Sequence, residues 1–252
     1  LDNTFEKYSN IIKDLTVGDY LLLDKDFIAD EATYAKIIML SEDIGIEVFE
    51  IIANTEIKYN LGKKDITQFG PYYTFKHRNQ PLKYSINKIN KSIFDFIFSS
   101  LFLIFIFSWS HIIISIIIKF TSKGPIFFRQ KRVGKDGIIF DCIKYRTMNQ
   151  QTHKFDQITQ KNDPRIYPFG SFLRKTNLDE FPQFVNVLLG QMSIVGPRPH
   201  MIKEDDMLAK ELSKYRIRHW VRPGITGLAA VNGFRGGTED MELMQKRINF
   251  DI

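Results

Sequence analysis

The sequence predicts three parts in order: an α/β fragment, a membrane-embedded helix that is re-entrant or spanning, and an α+β domain with a β-hairpin and amphipathic helices. Three observations predict this. A strand–helix–strand pattern occupies the stretch from Asp19 to Ile51. A run dominated by Ile, Phe and Leu extends from Ile93 to Ile118. After it, two β-rich segments flank an Asp-Gly turn, and apolar residues then recur at helical spacing. The boundaries fall at residues 1–80, 81–122 and 123–252.

In the first part, Asp19-Tyr20-Leu21-Leu22-Leu23 reads as a short buried strand and Asp30 to Asp43 as a helix. Ile46 to Ile51 alternates like a second strand. Such a piece is half of a doubly wound fold, but it has no Gly-rich phosphate turn to support nucleotide binding. Residues 54–87, with Gly62, Gly70-Pro71 and Gln80-Pro81 as breakers, read as loop and linker.

The apolar run exceeds the ~20 residues a bilayer crossing needs. Ser108-Trp109-Ser110-His111 interrupts it near the middle. Lys88 and Lys91 precede it, and Lys119 and Lys123 follow. Cations on both flanks favour both ends facing the cytoplasm, as in a helix that enters, bends and leaves on one side. A simple transmembrane helix is the competing reading. His111 is expected to bond to backbone near the bend or to sit at an interface with Trp109.

The third part opens with strands from Ile126 to Val133 and from Ile138 to Met148, joined through Gly134-Lys135-Asp136-Gly137. Period two aligns Lys144 and Arg146 on one face, a grip for a diphosphate or a solvated cationic edge. Cys142, the single cysteine, reads as a small buried strand residue and excludes an internal disulfide. Phe181, Phe184, Val185, Leu188 and Leu189 mark an amphipathic helix that Gly190 ends, and a further helix is expected from Met201 to about Tyr215. Two rigid loops, Gly196-Pro197-Arg198-Pro199 and Arg222-Pro223-Gly224-Ile225-Thr226-Gly227, each present an arginine.

Charge adds direction. The formal net charge is +6, but residues 119–235 hold 21 Lys/Arg against 10 Asp/Glu. Anionic headgroups and anionic substrates both suit this block. Nucleic acid fits on charge alone; no helix-turn-helix pattern, zinc spacing or RNP-type strand accompanies it.

Within that cationic field sits an acid pair, Asp179-Glu180, with Arg174 and Lys175 just upstream. One reading is a capping box, with Asn177 as N-cap and Glu180 at the third helical position. The other is a nucleophile and a metal ligand acting on a phosphoryl group whose charge arginines and a divalent ion neutralise. An oxygen donor such as Glu180 suits Mg²⁺.

These residues, with Lys91 to Asp95, Gly124 to Gln130, Lys144 to Met148, Leu173 to Thr176, Leu178 to Gln183, Ser193 to Pro199, Val221 to Gly227 and Val231 to Gly233, resemble the bacterial sugar transferases. These are polyprenyl-phosphate hexose-1-phosphate transferases, also called monotopic phosphoglycosyl transferases. The resemblance covers Ile89 to the C-terminus. Residues 1–80 look like the tail of the Rossmann-like domain that precedes the catalytic part in larger members. It implies a membrane-associated enzyme of the bacterial inner membrane with its α+β catalytic domain on the cytoplasmic face. The implied donor is a UDP-sugar bound with Mg²⁺, and the implied acceptor is undecaprenyl phosphate among inner-membrane phospholipids. Asp179 would attack the sugar-bearing phosphorus and release UMP, and Glu180 would hold the metal. Lys144, Arg146, Arg174, Arg198 and Arg222 would contact phosphate or nucleotide, Asp251 falls near a further acidic family position, and a homodimer is compatible. Two departures stand out: Trp109 follows Ser108 where the family has proline, and the chain stops where the family continues, so both ends read as cuts in a longer protein. A glycosyltransferase releasing UDP and a non-catalytic lipid-surface scaffold remain the alternatives.

Overall fold

A computed structural model describes residues 2–24, 27–28, 30–52, 66–76, 82, 85–149, 163–234 and 240–251. Packing divides the chain into two units, residues 1–87 with 203–221 and residues 88–202 with 222–251.

In the first unit, β1 (Tyr20–Asp24) and β2 (Glu47–Ile52) pair in parallel, joined through a helix over Glu31–Ile44. The expected strand–helix–strand is present, and its helix is locally specified at both ends. Asp30 accepts from the backbone N–H groups of Ala32 and Thr33, and Gly45 closes the helix in the left-handed conformation. Leu21, Leu23, Ile37, Ile38, Ile46 and Val48 form the core with Ile12, from an opening helix over Asp2–Lys13 that the sequence pattern had not suggested.

The linker expectation for residues 54–87 needs correction. β3 (Ile66–Phe69) and β4 (Tyr72–Lys76) form a hairpin about Gly70-Pro71, and β4 pairs antiparallel with β2 to give the sheet order β1-β2-β4-β3. The breaker is the hairpin turn, and the Tyr-Tyr-Thr-Phe run behind it suits a strand. Gly62 and Gln80-Pro81 lie outside the described residues. The helix expected from Met201 covers Ile202–Glu211, and a 3₁₀ segment follows over Tyr215–Trp220.

In the second unit, the apolar run is helical from Ser85 to Thr121, long and apolar enough to cross a membrane. The interruption expected at Ser108-Trp109-Ser110-His111 is itself α-helical; the irregularity is a π-turn just before it, over Leu103–Phe107. Ser108 Oγ donates back to Ile104 O (2.5 Å), Ser110 Oγ to Ile106 O (2.6 Å) and Trp109 Nε1 to Phe105 O (2.8 Å). Side chains thus re-partner carbonyls that the wider turn loosens. His111 departs from expectation: Nδ1 lies 2.9 Å from Tyr145 Oη and 3.1 Å from Ser115 Oγ, within a stack of Phe107, Phe127 and Tyr145 rings. The helix therefore docks on the strand that carries Lys144, with Ile114 and Ile118 packed against Tyr145 and Leu173.

The hairpin pairs β5 (Phe127–Val133) with β6 (Ile139–Tyr145). Its turn puts Asp136 (φ 54°) and Gly137 (φ 75°) in the left-handed region, which Asp-Gly tolerates. β6 stops at Tyr145 rather than Met148. A short parallel pair, β7 (Ser193–Val195) with β8 (Gly224–Thr226), completes the sheets. Here Gly196 and Gly224 are required by close approach: a Cβ on Gly224 would lie 2.1 Å from Gly196 N, and one on Gly196 would lie 2.4 Å from Arg222 O.

Candidate active site

The acid pair does not start a long helix. Asn177 adopts a left-handed conformation (φ 57°) and makes no side-chain cap, so the capping box is not formed. Leu178–Glu180 is a single 3₁₀ turn, and an α-helix follows only over Gln183–Leu188. That break shifts the helical phase. Phe184, Val187, Asn186 and Gln183 are buried, whereas Leu188 and Leu189, expected on the apolar face, are exposed.

The turn presents its two carboxylates to different surroundings. Glu180 Oε1 accepts from Lys144 Nζ at 2.8 Å and from Arg198 Nη2 at 3.0 Å. Burial pushes the Glu180 carboxyl up, but the charges and hydrogen bonds of Lys144 and Arg198 prevail and hold it down at about 2. Asp179 is 9 % exposed and accepts no hydrogen bond from a described residue. Burial raises its carboxyl, with Glu180 adding to the rise, and Lys144, Arg174 and Arg198 pull back without cancelling it. One carboxylate is thus anchored by cations, and its neighbour is more basic and unencumbered.

The predicted cations divide accordingly. Lys144 and Arg198 meet Glu180. Arg174 donates from Nε to Thr147 Oγ1 (2.8 Å), close enough to feel the charge of Asp179. Arg146 is elsewhere. Because β6 ends one residue earlier, its guanidinium turns inward and donates to Pro125 O (2.6 Å), Lys123 O (2.6 Å), Ser122 O (2.8 Å) and Ser122 Oγ (2.8 Å). Buried to 4 % exposure, it clasps the loop between the apolar helix and β5, and the diphosphate grip expected of it is not what its geometry offers. Arg146→Lys is accordingly expected to lower stability by about 3 kcal/mol, because an ammonium cannot reach this set of acceptors. Thermal unfolding in detergent reads the loss. Arg222 donates to Ser92 Oγ at 2.7 Å and makes no contact with the acid pair. Asp251 ends a helix over Met241–Asp251.

Sequence reasoning missed residues whose partners lie far along the chain. Asn186, fully buried, acts as a substitute strand for β6: its Oδ1 accepts from Ile143 N (3.0 Å) and its Nδ2 donates to Asp141 O (2.8 Å). Nearer in sequence, Arg165 pairs with Asp163 through two nitrogens, and the opposite charges of the pair both act on Arg174. Asp163-Pro164-Arg165 was the available signal, an acid and a base fixed at a turn.

Among the described residues no group of three or more His, Cys, Asp or Glu side chains could hold a metal ion. The donor set nevertheless fits Mg²⁺, which commonly takes one or two carboxylates with substrate phosphates and water. Both hydrogen bonds from Lys144 and Arg198 fall on Glu180 Oε1, and Asp179 is its neighbour in sequence.

The family model described as bacterial sugar transferase matches residues 86–252. A Klebsiella pneumoniae protein named UDP-glucose:undecaprenyl-phosphate glucose-1-phosphate transferase is 48 % identical over 169 residues, 66 % of this chain and 36 % of that protein. The exopolysaccharide production protein PSS of Rhizobium leguminosarum bv. phaseoli is 42 % identical over 64 % of this chain and 83 % of its own length. A UDP-N-acetylgalactosamine-undecaprenyl-phosphate N-acetylgalactosaminephosphotransferase of Aeromonas hydrophila is 40 % identical over 51 % of this chain and 31 % of its own. The chain spans about a third of the length of the Klebsiella relative. With two thirds of its residues matched by one family model, the chain belongs to the bacterial sugar transferase family.

Proposed function

We propose that this protein transfers a hexose-1-phosphate from a UDP-sugar to undecaprenyl phosphate through a covalent intermediate on Asp179, as the first step of exopolysaccharide, capsule or O-antigen assembly. The observation that carries the reading is the contrast within the acid pair: Glu180 is tied down by Lys144 and Arg198, and Asp179 is left basic and uncapped. The names of the relatives support the same substrates.

An Asp179 oxygen attacks the phosphorus that bears the sugar. The bond from that phosphorus to the bridging oxygen breaks, and UMP leaves with the bridging oxygen. A phosphate oxygen of the lipid acceptor then attacks the same phosphorus and frees the Asp179 carboxylate, giving a sugar diphospholipid. Lys144, Arg174 and Arg198 hold positive charge where the phosphate oxygens gather. Glu180, with Asp179 alongside, would hold Mg²⁺, which when bound neutralises the diphosphate.

Offering a panel of UDP-sugars in the presence of Mg²⁺ and measuring the released nucleotide tests this directly. UMP is expected. UDP would mean a glycosyltransferase, and no nucleotide would leave the lipid-surface scaffold. The apolar helix is assigned to the bacterial inner membrane, with both flanks and the catalytic domain on the cytoplasmic side. Cysteines substituted at Lys88 and Lys123 are expected to react with an impermeant reagent from one side of sealed vesicles. Reaction from opposite sides would establish a spanning helix.

A further inference from the structure

One helical turn of the apolar helix holds both arginine-bearing loops. Asp95 is 2 % exposed, and its Oδ1 accepts from Lys91 Nζ (2.6 Å), Ser193 Oγ (3.1 Å) and the backbone N–H of Ile194 (3.1 Å). Lys91 also donates to Ser193 Oγ. A carboxylate buried this deeply in an apolar helix is costly, and such residues are kept where they perform a task. Its Oδ2 has no hydrogen-bond partner among the described residues, so all of its bonding is directed through Oδ1 to Lys91 and β7. The strand ends at Val195, and Arg198, three residues on in the loop, donates to Glu180. On the other side, Ser193 and Gly196 donate backbone bonds to Pro223 O and Thr226 O, both 2.8 Å, and Arg222 reaches back to Ser92 Oγ. β7, its Gly-Pro-Arg loop and the Arg222 loop therefore form one tightly packed piece, pinned to the turn Lys91–Asp95.

We infer that Asp95 is a positioning residue for the transfer reaction: by fixing β7 to the apolar helix it holds Arg198 against Glu180. It touches neither substrate nor acid pair and acts through the loop. The inference rests on the proposed function for its kinetic consequence, while the tether itself is a physical claim that can be read separately.

Two measurements on the whole chain in lipid nanodiscs test it. In the first, UMP release is followed for Asp95→Ala, Asp95→Asn, Arg198→Ala and the Asp95→Ala/Arg198→Ala double variant. Misplacing a charged group at a phosphoryl centre costs up to about 10²-fold, so Asp95→Ala is expected to lower kcat by about that factor with KM changed far less. In the Arg198→Ala background the same change should cost less than about threefold, because what Asp95 positions is already gone. Asparagine keeps an acceptor for Ser193 and Ile194 and should recover most of the loss. In the second measurement, hydrogen exchange over residues 193–199 is expected to quicken in Asp95→Ala and to stay slow in Asp95→Asn. Ser193→Ala removes the Oγ contacts with Asp95 and Lys91 but leaves the Ile194 bond, and should show a smaller change of the same kind, which keeps the test decisive if Asp95→Ala does not fold. Losses that simply multiply in the double variant, or exchange unchanged on cutting the tether, would overturn the inference. Should the wild-type protein release no UMP, the proposed function fails, and the exchange measurement alone decides whether Asp95 holds the loop.

Discussion

Asp179→Asn protein is expected to release UMP at least about 10³-fold more slowly than wild type, since an amide of the same shape cannot attack phosphorus. The substitution is a clean one. The Asp179 carboxylate makes no hydrogen bond within the described structure, so replacing it by an amide of the same shape removes none, and the charge it loses is one that burial already disfavours. Unfolding temperature should therefore be little changed while turnover collapses. Intact mass spectrometry gives a second reading. Wild-type protein given UDP-sugar without lipid acceptor should gain the mass of a sugar phosphate, and the variant should not. Turnover close to wild type in the variant would refute a covalent role for this residue.

Glu180→Gln has the second-largest expected effect, about 10²- to 10³-fold in kcat, for a different reason. Removing the charge leaves Lys144 and Arg198 facing a neutral amide across 2.8 and 3.0 Å, and takes away the carboxylate that best fits a divalent ion. The loss should be partly recovered at higher Mg²⁺ concentration, a recovery that Asp179→Asn should not show. Titrating Mg²⁺ against UMP release in the two variants separates a metal-holding carboxylate from an attacking one.

What the sequence made legible was local. The helix read from Asp30 to Asp43 is found over Glu31–Ile44, and Asp136-Gly137 supplies the hairpin turn, because each is specified within a few residues of itself. The acid pair was visible through its chemistry in a cationic field, but its setting was not. Asparagine both caps helices and tolerates the left-handed region, and only the fold decides that Asn177 does the second. Strand periodicity could not tell Lys144 from Arg146; the end of β6 between them sends one to Glu180 and the other to the Ser122–Pro125 loop. The helical stripe failed at Leu188 and Leu189 because a 3₁₀ turn precedes the helix and resets its phase. Asp95 and Ser193, or Ser92 and Arg222, meet across roughly a hundred residues or more, a distance over which no pattern in one chain speaks.

The burial of Cys142 has a practical consequence. It is the one thiol in the chain, 1 % exposed, and burial raises its pKa, so little thiolate forms and none of it is within reach of a bulky electrophile. Native protein should stay unlabelled by maleimides until denaturant opens the core. Single cysteines can therefore be introduced anywhere on the surface, for dyes, spin probes or cross-linkers, without first engineering a thiol-free parent.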